Sequence, residues 1–174
     1  MGTGGPERAW VRGAQGGDAS SLEALFRHHW PSAYRAAYLV VHDAAAAEDI
    51  AQEAFLAAVR NLDRFDRRRP FGPWLHRIVV NRAIDWSRMR ALRPESGGDA
   101  LLGVAAAEDS DASEELLSAI RSLPPDHRAV IVLRYLLEYT PGEIARLLDL
   151  PRGTVNSRLR RALDSLGEQL EQEQ

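Results

Sequence analysis

Apolar residues recur three and four positions apart along most of the chain, and nowhere do apolar and polar residues alternate cleanly, so the pattern predicts helices and no strand. The spacing places helices over 22–29, 32–41, 44–61, 73–91, 113–122, 126–135, 141–148 and 151–166. Two starts carry capping signals. Asp43 can cap the third helix, and Thr140, Pro141 and Glu143 make a capping-box start with proline at the first helical position, where its missing N–H does no harm. Between the periodic segments, RPESGGDALLGVAAAEDSDAS (93–113) has proline, paired glycines and scattered acids but no period, which reads as a linker. The expected fold is therefore all-α, with two small helical domains joined by a flexible acidic linker and a helix-turn-helix in the C-terminal one. The divisions are a flexible N-terminus over 1–19, a domain over 20–93, the linker over 94–113, a domain over 114–167 and an acidic tail over 168–174. Six of the 13 glycines fall before residue 18, which is why structure is expected to begin near Ser20.

At 45% hydrophobic and 27% charged residues, the 174-residue chain can bury one or two modest cores and is not a disordered or collagenous sequence. No run of 18 apolar residues and no leader-like opening is present, so a cytoplasmic protein without membrane insertion is expected. The absence of cysteine removes disulfides, thiolate zinc sites and thiol nucleophiles. Phosphate-loop, dinucleotide-binding and hydrolase-elbow motifs are also missing. His28 and His29 have no carboxylate at ligand spacing, and no nucleophile with a base can be assembled, so the sequence predicts no metal, no cofactor and no enzyme. The chain ends eight residues after Leu166, from which no appended regulatory domain is expected.

A net charge of -3 conceals an uneven distribution. Residues 60–93 contain ten arginines against three aspartates, whereas residues 95–115 contain seven acids and no base. All 22 cations are arginine, a residue suited to bidentate phosphate contacts but equally a mark of a GC-rich genome. What matters for nucleic acid is the local basic patch.

Three segments carry candidate chemistry. In 140–166 a short capped helix, the turn Asp149-Leu150-Pro151-Arg152-Gly153 and a second helix follow at helix-turn-helix spacing. On that second helix Val155, Leu159, Ala162, Leu163 and Leu166 share one arc, and Thr154, Ser157, Arg158, Arg160 and Arg161 lie on or beside the opposite one, a basic, hydroxylated face suited to a major groove. On the third helix Ala47, Ile50, Ala54, Phe55, Ala57, Ala58 and Leu62 form one face, and Glu48, Asp49, Gln52, Glu53 and Leu56 the other, an acidic surface with a leucine set in it that could dock a basic partner helix. The segment RFDRRRPFGPWLHRIVVNRAIDWSRMRAL (64–92) interleaves arginines with Phe71, Trp74 and Trp86, the make-up of a surface for unstacked single strands. Competing with that, Trp74, Leu75, Ile78, Val79, Trp86 and Met89 share an arc that reads as a core-facing stripe, with Arg82 in its middle.

Taken together, AEDIAQEAFLAAVRNLDRF (47–65), FGPWLHRIVVNRAIDWSRMR (71–90) and LPPDHRAVIVLRYLLEYTPGEIARLLDLPRGTVNSRLRRAL (123–163) resemble a bacterial RNA polymerase sigma factor of the extracytoplasmic-function (ECF) group, in three motifs, in order, over residues 22–166. The resemblance implies a transcription initiation factor that binds core RNA polymerase, recognises the minus-thirty-five and minus-ten promoter elements and promotes melting. By carry-over, Glu48, Asp49, Gln52, Glu53 and Leu56 would face the clamp coiled coil of the largest polymerase subunit. Phe71, Trp74, Arg77, Asn81, Asp85, Arg88 and Arg90 would act at the minus-ten element, on duplex and single-stranded DNA. Arg152, Gly153, Thr154, Asn156, Ser157, Arg158, Arg160 and Arg161 would act at the minus-thirty-five element, and the C-terminal domain would touch the flap of the second-largest subunit. Control would come from a separate anti-sigma factor or from expression level. Two positions depart from the family pattern: Asn156 stands where lysine is frequent, which would remove a phosphate contact, and Arg82 where an apolar residue is common. The rival is a free-standing helix-turn-helix regulator, for which no apolar helix remains to dimerise and the acidic face has no use.

Overall fold

The computed structural model describes residues 4–92 and 111–172. Among them are eight α-helices and no strand: α1 (Gly4–Gln15), α2 (Ala19–Val41), α3 (Ala44–Arg60), α4 (Phe71–Ala91), α5 (Asp111–Ser122), α6 (Pro125–Ile131), α7 (Pro141–Leu148) and α8 (Arg152–Gln172). A short 3-10 turn follows α3 and a π-turn over Val132–Leu136 follows α6. The expected linker lies outside the described residues up to position 110; α5 is already helical at Asp111.

The long helix α2 is the hub of the N-terminal half and packs against α1, α3 and α4. Its inward residues Leu25, Ala33, Ala36, Ala37 and Val40 meet Ala47, Ala54 and Ala58 of α3 and Leu75, Val79, Val80 and Ala83 of α4, all but excluded from solvent. The alanines let the helices approach closely, and each fully buried leucine such as Leu75 contributes roughly 2 kcal/mol by leaving water. In the C-terminal half, α8 lies against α5, α6 and α7, with Val130, Leu133, Ile144 and Val155 at the centre. The halves also touch, since α6 packs on both α2 and α4 and α7 on α4. The expected caps are present: Asp43 accepts from Ala46 N–H, and Thr140 and Glu143 close a reciprocal capping box.

Five expectations change. Residues 1–19 were expected to be flexible, yet Gly4–Gln15 form α1. This helix buries Val11 on α2, its Gln15 amide donates to the Leu62 and Phe65 carbonyls at 2.8 and 3.0 Å, and Glu7 accepts from Phe71 N–H at 2.8 Å. The glycines that suggested flexibility have other work: a Cβ at Gly13 would collide with Ser21 Oγ of α2, and Gly17 (φ 85°) makes the tight turn between the helices. Residues 22–41 were expected as two helices broken at Pro31, but α2 runs through it. The lost N–H is tolerated because buried residues on both sides, from Leu25 to Val41, fix the axis. The tail is helical to Gln172, its apolar stripe prolonged by half-buried Leu170. Finally, the core stripe of α4 is rotated from the arc expected. Met89 is 60% exposed, Trp74, Ile78 and Trp86 are half-buried, and Phe71, His76, Val80, Ile84 and Ser87 join Leu75 and Val79 inside. Leu163 of α8, expected inside, is likewise exposed at 44%.

Candidate nucleic-acid interface

The acidic face of α3 forms as the periodicity predicts. Ala47, Ile50, Ala54, Phe55 and Ala58 point inward, leaving Glu48, Asp49, Gln52, Glu53 and Leu56 exposed, with Leu56 at 54%. Three of its members are already engaged with neighbours. Gln52 donates to Glu48 at 3.2 Å, and Glu53 binds Arg82 of α4 at 2.9 Å. That pair accounts for Arg82: with the stripe rotated, residue 82 sits at the edge of the helix–helix seam, where an arginine reaches across to α3 instead of entering the core.

The α4 segment divides into supporting and exposed residues. Phe71, expected to meet DNA, is 3% exposed and packs against His29, Phe65 and Trp74, so it supports the surface from behind. Trp74 lies half-buried on Phe65, ring centroids 4.6 Å apart. Arg90 is held at both ends of its reach, with its guanidinium 2.8 Å from Asp43 and 5.0 Å from the Trp86 ring centroid. Asp43 therefore caps α3 and pairs with α4 at once, and its carboxyl is held below the usual range by the Ala46 N–H, with Arg90 adding to the effect. Arg77, Asp85 and Arg88 are exposed and Asn81 half-buried. Together with Arg64, Arg69 and Trp74, Arg77 lines a cleft closed on its far side by Tyr139 and Arg146 of the C-terminal half.

The helix-turn-helix is α7, a turn with Asp149 in the left-handed region (φ 55°), and α8. At the start of α8, Arg152, Gly153 and Asn156 are exposed and Thr154 is half-buried; Ser157 is half-buried too, its hydroxyl donating to the Thr154 carbonyl at 3.1 Å. Arg160 and Arg161 face solvent. Arg158 does not stand out from the helix: its side chain is 22% exposed and its guanidinium lies 3.6 Å from Asp126. The other oxygen of the same carboxylate is 2.7 Å from Arg88 of α4. One acid of α6, which sequence reasoning passed over, thus joins an arginine expected at the minus-ten element to one expected at the minus-thirty-five element. A three-body contact between distant segments leaves no periodic signal that could have revealed it.

Beside it, the halves share a second junction. His76 of α4 is hydrogen-bonded by its two ring nitrogens to Ser32 Oγ at 3.0 Å and to Tyr139 Oη at 2.8 Å. Burial, with a smaller contribution from nearby His29, pushes the His76 pKa down to about 4, and burial raises that of Tyr139. Among the described residues no helix is long and apolar enough to cross a membrane.

Comparison with known proteins identifies the fold and the family. The family model for sigma-70 region 2 matches residues 25–93, and that for sigma-70 region 4 matches residues 113–166. The ECF RNA polymerase sigma factor SigW of Bacillus subtilis is 34% identical over 92% of this chain and 94% of its own length. The ECF RNA polymerase sigma-E factor of Escherichia coli is 39% identical over 68% of this chain and 70% of its own. Among solved structures, CnrH in complex with the cytosolic domain of CnrY superposes with a TM-score of 0.73 at 25% identity, covering 97% of this chain and 99% of that one. The chain belongs to the ECF RNA polymerase sigma factors of the sigma-70 family, and it is a transcription initiation factor that gives RNA polymerase its promoter specificity.

Proposed function

We propose a division of that role among named faces, in the cytoplasm and without catalysis by the chain itself. Glu48, Asp49, Gln52, Glu53 and Leu56 dock the clamp coiled coil of the largest polymerase subunit. Arg77, Asn81, Asp85 and Arg88, backed by Trp74 and Phe71, act on the minus-ten element as it opens, and Arg90 fixes the end of α4 through Asp43. Arg152, Gly153, Thr154, Asn156, Ser157, Arg158, Arg160 and Arg161 present α8 to the minus-thirty-five element, and the C-terminal half meets the flap of the second-largest subunit. The observation that carries this division is the exposed basic start of α8, with Arg152, Arg160 and Arg161 in solvent and no acid until Asp164. Run-off transcription with core polymerase on promoters randomised across the minus-thirty-five element tests it. Arg158→Ala is expected to relax preference at one base pair, at a cost of about 1–3 kcal/mol, whereas Arg160→Ala lowers output alike on all sequences. Uniform loss in both variants would remove Arg158 from base readout.

The shared carboxylate of Asp126 has a consequence for this reading. In the conformation described here it occupies two arginines that DNA phosphates or bases would otherwise take. Both pairs are partly exposed, and such pairs contribute up to about 1 kcal/mol each. Asp126→Asn is therefore expected to tighten binding of the isolated factor to promoter DNA by roughly three- to tenfold and to steepen its salt dependence, since up to two further cations become available. Fluorescence anisotropy across a salt series measures both, and an unchanged affinity and slope would show that the contact does not compete with DNA. A separate anti-sigma factor is the regulator proposed for the same faces; the similar CnrH is found in complex with the cytosolic domain of CnrY.

A further inference from the structure

We propose that Glu7, His28 and His29 form a binding site for one divalent transition-metal ion, with zinc as the ion of best-matched chemistry. The site shares no ligand with the polymerase and DNA faces and meets them only at Phe71, which supports the α4 surface from behind. His28 and His29 are neighbours on α2, too close in sequence to suggest a site alone, and the missing third ligand comes from α1. Glu7 Oε2 lies 3.1 Å from His29 Nε2, and one ligand atom from each of the three residues falls within 4.8 Å of the others. Ligand atoms at about 2.0–2.2 Å from a tetrahedral zinc stand roughly 3.3–3.5 Å apart, so the cluster needs only a small contraction around the ion. Two imidazoles and one carboxylate are a donor set that zinc accepts, with its fourth position left for water.

The surroundings suit such a site. His29 is buried against Phe71, which holds its ring in place, whereas His28 is exposed, which gives an ion a path from solvent. Glu7's other oxygen accepts from Phe71 N–H at the start of α4, so the carboxylate is oriented from behind. A hydrogen-bonded ligand of this kind loses about 10–100-fold in metal affinity when its support is removed. Bound there, the ion would tie α1 to α2 and, through Glu7, to the first turn of α4.

The test uses untagged, chelator-washed full-length protein titrated with zinc in competition with a chromophoric chelator, and with cobalt as a spectroscopic probe. One ion per chain is expected, with the visible absorption of tetrahedral cobalt and a thermal midpoint about 5 °C higher at a hundredfold excess of zinc over its dissociation constant. His28→Ala, which also removes the ring contact with Trp10 of α1, should weaken zinc at least tenfold, and Glu7→Gln should do so as well, each variant being compared with its own thermal midpoint in chelator. His127→Ala, remote from the cluster, should bind as wild type. Failure of the wild type to bind zinc, or equal binding by His28→Ala, overturns the proposal.

Discussion

Replacing Asp49 and Leu56 together by arginine is expected to weaken assembly with core polymerase by about 2–5 kcal/mol, at least roughly thirtyfold, because like charges then meet across a surface that otherwise offers a carboxylate and an apolar anchor. Both side chains are exposed, so the midpoint of thermal unfolding and the helical circular dichroism should stay as in wild type. Glu53 is the less informative site although it belongs to the same face. It already binds Arg82 at 2.9 Å, so an arginine there would bring two guanidinium groups together and loosen the α3–α4 seam as well as the interface. Titration of labelled factor with purified core polymerase gives the readout. If the double variant assembles like wild type, the docking surface lies elsewhere on the molecule.

That α3 face was legible because it needs nothing beyond its own helix: a period near 3.6 sorts Ile50 and Phe55 from Asp49 and Leu56 without reference to any neighbour. The caps at Asp43 and Thr140 were legible for the same reason, being bonds between residues three apart. What stayed hidden depends on partners distant in sequence. The helix α1 is glycine-rich, which masked it, and it is held by Glu7 and Gln15 reaching the backbone some fifty residues and more away. The facing of α4 was misjudged because this helix is packed by α2 on one side, α3 on another and α6 on a third, so that its apolar residues do not mark a single stripe. Arg82, Arg90 and Arg158 look alike in sequence, yet each is claimed by a different acid, Glu53, Asp43 or Asp126. A basic segment therefore overstates the charge free for DNA until those acids are placed.

Acid should destabilise the protein in a window set by histidine. His76 has an ordinary pKa of 6.5 that burial, with His29 nearby, lowers to about 4, and half-buried His42 is lowered to about 4 as well by desolvation and the nearby Arg128 and Arg121. Above pH 6.5 the imidazole is neutral both folded and unfolded, and its contribution is fully present. As pH falls below 6.5 the unfolded chain takes up a proton that the folded chain refuses, until the folded group titrates in turn near 4. At about 1.4 kcal/mol per pH unit, His76 alone costs about 3 kcal/mol across that window. His29 and His42 act in the same direction, while the carboxyls of Asp43 and Asp18, lowered from 3.8, lose their contributions only at still lower pH. Both hydroxyls bonded to His76, Ser32 Oγ and Tyr139 Oη, can accept as well as donate, so the loss comes from placing charge in a buried site and not from breaking those bonds. Urea unfolding of wild type at pH 7.5, 6.5, 5.5 and 4.5 should show stability falling mainly across the two steps below pH 6.5. His76→Gln, which keeps hydrogen-bonding groups but cannot titrate, should be less stable than wild type at pH 7.5 and should lose less between pH 6.5 and 4.5, its curve flatter by about one proton. Parallel curves for the two proteins would show that His76 is not the group that takes up the proton on unfolding.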